Sequence, residues 1–188
     1  MGKDKMNIAL TGFMGCGKTC VGKALARLLP EYSLIDLDEY VESMTGRRIP
    51  DIFREDGEPA FRALEAEALG SIFKEPSAEG GKPLIISLGG GTVTTEPCRK
   101  LIHEYSVCIY LKASTETLVA NLLNMSEGRP MLNPDGGPMT EEKLRSRIQQ
   151  LMATRATIYE SVADRIIAID GKQFGQIAEE IINLICRC

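Results

Sequence analysis

The run Gly12-Phe13-Met14-Gly15-Cys16-Gly17-Lys18-Thr19 has the residue types and spacing that hold phosphate. It fits G-x-x-x-x-G-K-[ST]. In that pattern the glycines let backbone N–H groups turn inward around phosphate oxygens, the lysine reaches the β- and γ-phosphates, and the hydroxyl faces Mg²⁺. A mostly apolar run, 6–10, precedes the loop and an amphipathic stretch follows it. The loop is therefore expected between a strand and a helix N-terminus, whose dipole adds partial positive charge. This context separates it from a glycine-rich turn with a chance lysine. The motif names nucleotide binding, not a reaction. No guanine-reading Asn-Lys-x-Asp occurs, because every asparagine is followed by an apolar residue or proline. A chain of this size, with a long loop after its fourth strand, suits a metabolite or nucleotide kinase that uses ATP.

Further groups could serve a second substrate. Asp36 and Asp38 flank Leu37 at the end of the short run 33–36. Side chains alternate along an extended backbone, so both carboxylates would lie on one side, one facing Mg²⁺ and the other a hydroxyl. A single aspartate there is often only a helix cap, but two beside a phosphate loop favour function. Asp170, after the apolar run 166–169, is a rival metal partner. It belongs to the last strand, expected at a sheet edge, and is discounted. Phe53, Gly57-Glu58, Phe61-Arg62 and Glu65 form a second cluster. Arg62 and Glu65 lie about one helical turn apart and can pair. A guanidinium held among aromatics is suited to gripping a carboxylate. Gly89-Gly90-Gly91 ends a third apolar run.

These residues need a frame. Apolar runs at 6–10, 33–36, 84–88, 107–111 and 165–169 predict five strands. Periodicity predicts a helix over 17–29, with Val21, Ala24, Leu25 and Leu28 on one face and Pro30 ending it. It predicts helices over 38–44, stopped by Gly46, over 96–105, and over 115–124 with Ser114 as cap, with a mostly helical region over 50–73. A long helix should start at the N-cap Thr140, with Glu141 and Glu142 in its first turn, and run to about Val162. A closing helix over 174–185 should bury Ile177, Ile181, Ile182 and Ile185. Strands alternating with helices predict an α/β, three-layer P-loop NTPase fold: a five-stranded parallel sheet with helices on both faces. Ligands then bind beyond the carboxyl ends of the strands. Residues 75–82 are expected as a surface loop. Residues 125–139 hold three prolines and three glycines with little apolar periodicity, and are expected as a mobile lid.

The chain has 188 residues and a net charge of −4, consistent with one domain over 1–188 whose segment 37–74 forms a helical substrate-binding part. The acidic balance argues against nucleic acid, since duplex binding needs a dense basic surface. No apolar stretch approaches the ~18–20 residues of a bilayer span. The N-terminal run lacks a cleavage site, so no membrane association and a cytoplasmic location are expected. The six cysteines, at 16, 20, 98, 108, 186 and 188, sit in apolar or motif segments and are expected reduced. Cys16 lies at a helix N-terminus, which favours thiolate, but a small residue filling the loop is the preferred reading. Cys186 and Cys188 read as a terminal tail. His103, the only histidine, is expected on a helix surface, so histidine acid–base chemistry is not expected.

Taken together the chain resembles the shikimate kinases. The resemblance spans Asn7 to about Ile169. It rests on the phosphate loop, Asp36-Leu37-Asp38, the stretch from Ile52-Phe53 to Glu65, Gly89-Gly90-Gly91, Gly128-Arg129-Pro130, and Arg155 to Tyr159. It implies ATP and shikimate as the partners and Mg²⁺ as cofactor; a monomer is expected, although nothing in the sequence reads out oligomeric state. It implies an ATP-binding set of Gly12, Gly15, Cys16, Gly17, Lys18, Thr19, Cys20 and Arg129. Asp38 would meet the shikimate hydroxyls as base or orienting group. Arg62 and Arg155 would clamp the carboxylate, and Gly89, Gly90 and Gly91 would line the ring. Glu65 would hold Arg62, and Thr19 and Asp36 would serve the metal. Lys18, Asp38 and Arg129 would carry the catalysis, Arg129 closing over the transferring phosphate from the lid. The chain departs from the family over 121–128, which carries no basic residue where a further lid arginine usually stands near adenine. A kinase for gluconate or a nucleoside monophosphate, or a nucleotide-binding module without catalysis, are the rival readings.

Overall fold

The computed structural model describes residues 7–74, 81–123, 131–132 and 139–185. Five segments pair into one parallel sheet: β1 (Asn7–Thr11), β2 (Ser33–Asp36), β3 (Leu84–Ser87), β4 (Ser106–Lys112) and β5 (Arg165–Ala168). Their order is β2-β3-β1-β4-β5. Ile8 of β1 lies opposite Ile85 on one side and Val107 on the other. The inner strands are mostly apolar, with polar residues at their ends, because helices cover both of their faces. β5, at the edge, buries only Ile167.

Eight helices flank the sheet among the described residues: α1 (Lys18–Leu28), α2 (Leu37–Thr45), α3 (Ile49–Glu55), α4 (Gly57–Lys74), α5 (Glu96–Tyr105), α6 (Thr115–Leu122), α7 (Glu141–Val162) and α8 (Phe174–Ile185). A 3-10 turn, Thr92–Thr94, follows β3. α1 packs on α8 and against β1, β2 and β3, while α5 packs on α4 and β4, and α7 on α6, β4 and the 3-10 turn. Ser114 and Thr140 cap α6 and α7 as their side chains allow, accepting from Thr117 N and Lys143 N.

The structure differs from the sequence expectation in several places. Leu28 is 47% exposed instead of inward. The cause is Gly22: a Cβ there would stand 2.8 Å from Leu34, so the helix closes onto the sheet at that point. The buried face is thereby rotated to Lys18, Val21, Gly22 and Leu25, leaving Ala24 at its margin. The helical region over 50–73 is two helices, divided at Asp56. On α8 the buried set is Ile177, Ala178 and Ile181, with Ile182 and Ile185 only partly covered. Residues 75–80 lie outside the described residues, as does most of the expected lid. Of the lid, Met131, Leu132 and Met139 are described. Leu132 is 1% exposed, and Arg147 of α7 donates to the Met131 carbonyl at 2.9 Å. No described helix is long and apolar enough to cross a membrane.

Candidate active site

The strand order sets the carboxyl ends of β2, β3 and β1 side by side, and three chemically distinct groups meet there. The phosphate loop follows β1. Gly17 caps α1 with φ 89°, a left-handed conformation that favours glycine, so the loop can turn directly into the helix. Lys18 is only 8% exposed. Its Nζ donates to the carbonyls of Gly12, at 2.9 Å, and Phe13, at 3.2 Å, so the cation is folded into the loop it serves. Asn121, at the end of α6, donates to the Gly15 carbonyl at 2.9 Å.

Cys16 is buried, and burial pushes its thiol pKa up against the opposing pull of Lys18. It fills the loop and is not a thiolate. Cys20, one turn on, is exposed. Cys98 and Cys108 are buried and all four described cysteines are free; Cys186 and Cys188 lie outside the described residues. His103 stands exposed on α5.

Thr19 Oγ1 donates to Asp36 Oδ2 at 2.7 Å and lies 3.2 Å from Ser87 Oγ at the end of β3. Asp36 also caps α2, its Oδ1 accepting from Asp38 N at 3.1 Å and Glu39 N at 3.5 Å. This corrects the basis on which Asp38 was paired with Asp36. The strand ends at Asp36 and the chain becomes helical at Leu37, so strand alternation does not set the second carboxylate. The cap turns the backbone at once, Leu37 goes into the core, and Asp38 emerges in the first helical turn. Asp38 remains open to solvent at the mouth of the cleft, although protein crowds its carboxyl on most sides. That desolvation, joined by the negative charge of Asp36 and Glu65, raises its pKa to about 6, against the pull of Lys18 and Arg62.

α4 supplies the second group. Its buried stripe is Phe61, Glu65, Ala68, Leu69 and Ile72, which places a carboxylate at a core position of the helix. Glu65 is 0% exposed and pairs with Arg62 through Oε2. Arg62, its side chain 11% exposed, also donates from Nη2 and Nε to Glu58 Oε1 at 3.0 and 3.2 Å. Its guanidinium carbon stands 5.1 Å from the centroid of Phe61, which packs 4.8 Å from Phe53. Burial works against the Arg62 cation, but Glu65 and Glu58 outweigh it and hold its pKa above the ordinary value.

The glycine triplet after β3 joins the parts. A side chain on Gly91 would collide with the Arg62 guanidinium, and one on Gly89 would reach the Glu65 and Asp38 carboxylates. The Gly90 carbonyl accepts from Tyr159, at 2.5 Å, and from Arg155 Nη1, at 3.4 Å. Arg155 and Tyr159 are both buried on α7, and Tyr159 stacks on Tyr110 of β4 at 5.1 Å. Arg62 and Arg155 thus meet adjacent residues of one loop, Gly91 and Gly90. Asp170 stays away from this cluster: it accepts from Ser114 N and Oγ and from Thr117 Oγ1. Arg129 lies outside the described residues. Ser87, Thr92 and Asn121 were not singled out in the sequence, and Tyr159 was marked only as the end of the Arg155 to Tyr159 stretch, with no role given. For Ser87 and Thr92 the available signal was a hydroxyl residue on either side of a glycine triplet.

A phosphate loop hydrogen-bonded to an aspartate at the end of the second strand, beside a cleft carrying two arginines, defines a P-loop kinase of the small-molecule class. A family model described as shikimate kinase matches residues 14–186. A shikimate kinase from Chlorobaculum tepidum is 39% identical over 96% of this chain and 90% of its own. One from Thermus thermophilus is 37% identical over 96% of this chain and 90% of its own. The solved shikimate kinase from Acinetobacter baumannii, in complex with shikimate, superposes with a TM-score of 0.86 at 29% identity, covering 98% of this chain and 95% of that one. The chain belongs to the shikimate kinase family. It is an ATP-using kinase of the shikimate pathway, which feeds aromatic amino acid biosynthesis.

Proposed function

We infer that this enzyme moves the γ-phosphoryl group of ATP onto the 3-hydroxyl of shikimate, releasing ADP and shikimate 3-phosphate, and that the residues gathered at the ends of β1, β2 and β3 do so. The observation that carries the assignment of roles is the convergence of Asp38, Arg62 and Arg155 on the Gly89–Gly91 loop beside Lys18. Arg62 and Arg155, which reach the adjacent loop residues Gly91 and Gly90, hold the acceptor carboxylate and so orient the ring. Asp38 takes or orients the hydroxyl proton as the oxygen attacks phosphorus and the bond from Pγ to the β-phosphate oxygen breaks. Gly12, Gly15, Cys16, Gly17, Thr19 and Cys20 wrap the phosphates. Lys18 leaves its loop carbonyls for the β- and γ-oxygens, and Arg129 adds charge at the transferring group. Residues 125–139, as a lid, exclude water from the site, which curbs idle hydrolysis.

The donor set suits Mg²⁺. Among the described residues no cluster of three or more His, Cys, Asp or Glu could hold a metal alone. The Thr19 hydroxyl and Asp36 carboxylate, already in contact, offer the one or two hard oxygen ligands that Mg²⁺ takes from protein when phosphates and water complete its shell. Thr19 and Asp36 would hold the ion beside the phosphates, where it would supply positive charge against the charge that develops on transfer. On the same reading the enzyme is a monomer in one domain and cytoplasmic, with ATP and shikimate as its partners.

The test is ADP release followed with and without shikimate, with the product identified by mass. Arg62→Ala is expected to raise KM for shikimate by about 30-fold or more while KM for ATP stays within about twofold. Lys18→Ala is expected mainly to lower kcat. Phosphorylation of gluconate or a nucleoside monophosphate, with none of shikimate, would reject the substrate. An unchanged KM for shikimate in Arg62→Ala would reject the carboxylate clamp.

A further inference from the structure

The ion pair beneath the proposed acceptor site has a third member. Glu65 is wholly buried on α4. A buried carboxylate is tolerated only when its oxygens are bound. Oε2 takes Arg62 and Oε1 takes the Thr92 hydroxyl at 2.7 Å. Burial pushes the Glu65 carboxyl pKa up, and Arg62 and Thr92 are the groups that pull it back.

Thr92 is itself fully buried and is held by its frame. Its N–H donates to the Gly89 carbonyl at 3.3 Å, and its own carbonyl accepts from Thr95. Arg99 of α5 donates to the carbonyls of Val93, at 3.0 Å, and Thr94, at 2.9 Å, so the 3-10 turn carrying the hydroxyl is tied to a helix. A Cβ on Gly89 would lie 2.6 Å from Glu65 Oε1, 2.9 Å from Asp38 Oδ1 and 3.0 Å from Thr92 Oγ1. The threonine hydroxyl, the buried carboxylate and the cleft aspartate therefore converge on one point of the glycine loop.

We propose that Thr92 is a positioning residue for the acceptor: its hydroxyl pins Glu65, and through Glu65 fixes the direction in which the Arg62 guanidinium presents its remaining face. This rests on Arg62 as the acceptor's carboxylate clamp. Without the hydroxyl, Glu65 Oε1 is buried and unsatisfied. The carboxylate then rotates or takes a proton, and Arg62 turns toward Glu58, whose Oε1 already accepts from two of its nitrogens.

Thr92→Val keeps the shape and removes the donor, whereas Thr92→Ser keeps the donor. The valine variant is expected to raise KM for shikimate roughly tenfold, the equivalent of one buried hydrogen bond, with KM for ATP within about twofold. The serine variant is expected to stay within about threefold of the parent enzyme. Thr92→Ala is read in the same way should the valine variant not fold. Three results overturn the proposal: KM for shikimate within twofold of the parent in the valine variant, both KM values rising together, or serine as impaired as valine. Arg62→Ala, run beside them, separates the causes. If it raises KM for shikimate and Thr92→Val does not, the role of Thr92 alone fails. If neither raises it, the clamp fails and Thr92 has nothing to position.

Discussion

Asp38 sits in an environment at odds with the ordinary chemistry of a carboxylate at the mouth of a cleft. Crowding by protein, with Asp36 and Glu65 nearby, lifts its pKa to about 6. The free enzyme therefore gains the ionised form only as pH rises through that value, and kcat/KM for shikimate is expected to fall below about pH 6 along a single-proton limb. The same shift sets a sign on stability. The folded state keeps a proton that the unfolded chain, near 3.9, has already released, so this group makes stability decline as pH rises from about 4 to 6. Asp38→Asn should thus abolish most turnover yet raise Tm by about 2 °C at pH 8, with no gain at pH 4. An equal gain at both values would remove the electrostatic explanation. The sequence showed Asp38 because a second carboxylate beside a phosphate loop is rare. It did not show Ser87 or Thr92, because a hydroxyl on either side of a glycine triplet is a faint signal and their partners Thr19 and Glu65 are 68 and 27 residues away.

Helices and strands were legible wherever apolar periodicity ran for two turns or more, and α5, α7 and α8 begin and end within a residue of the expected places. Junctions were less so. The step from β2 to α2 depends on Asp36 acting as cap and as partner of Thr19 at once, and only the second contact is long-range. The rotation of α1 depends on how near Leu34 comes to Gly22, which no single-helix pattern contains. Asp170 is a third such case. Its carboxylate lies at the N-terminus of α6 and accepts from the Ser114 amide and hydroxyl and from Thr117. These bonds hold its pKa below the ordinary value, the Thr117 hydroxyl foremost. The other end of α6 carries Asn121, bonded to Gly15. Asp170→Ala should loosen α6 from both the β5–α8 corner and the phosphate loop. For this exposed cap the expected loss is about 1 kcal/mol, or about 3 °C in Tm, with KM for ATP rising more than KM for shikimate. A rise confined to shikimate would show that α6 does not communicate with the nucleotide side.

The sheet order is what makes one site from distant segments. With β3 between β2 and β1, the phosphate loop, Asp36 and the Ser87–Gly91 stretch share one edge, and α4 and α7 close on it from either side. Each substrate therefore meets residues from several elements at once, and binding should tighten the whole fold. A ligand present at 100 times its Kd stabilises the native state by about 2.7 kcal/mol. For a chain of this length that corresponds to a Tm rise of about 5–10 °C. Shikimate alone is expected to give such a rise in the parent enzyme and little in Arg62→Ala. ATP with Mg²⁺ should do likewise in the parent and little in Lys18→Ala. Removing the metal with EDTA should shrink the ATP shift and leave the shikimate shift intact, because the proposed roles assign Thr19 and Asp36 to the nucleotide and Arg62 and Arg155 to the acceptor. If EDTA abolished both shifts equally, the acceptor would depend on the metal for binding, and the division of the site into a phosphate half and a carboxylate half would have to be abandoned.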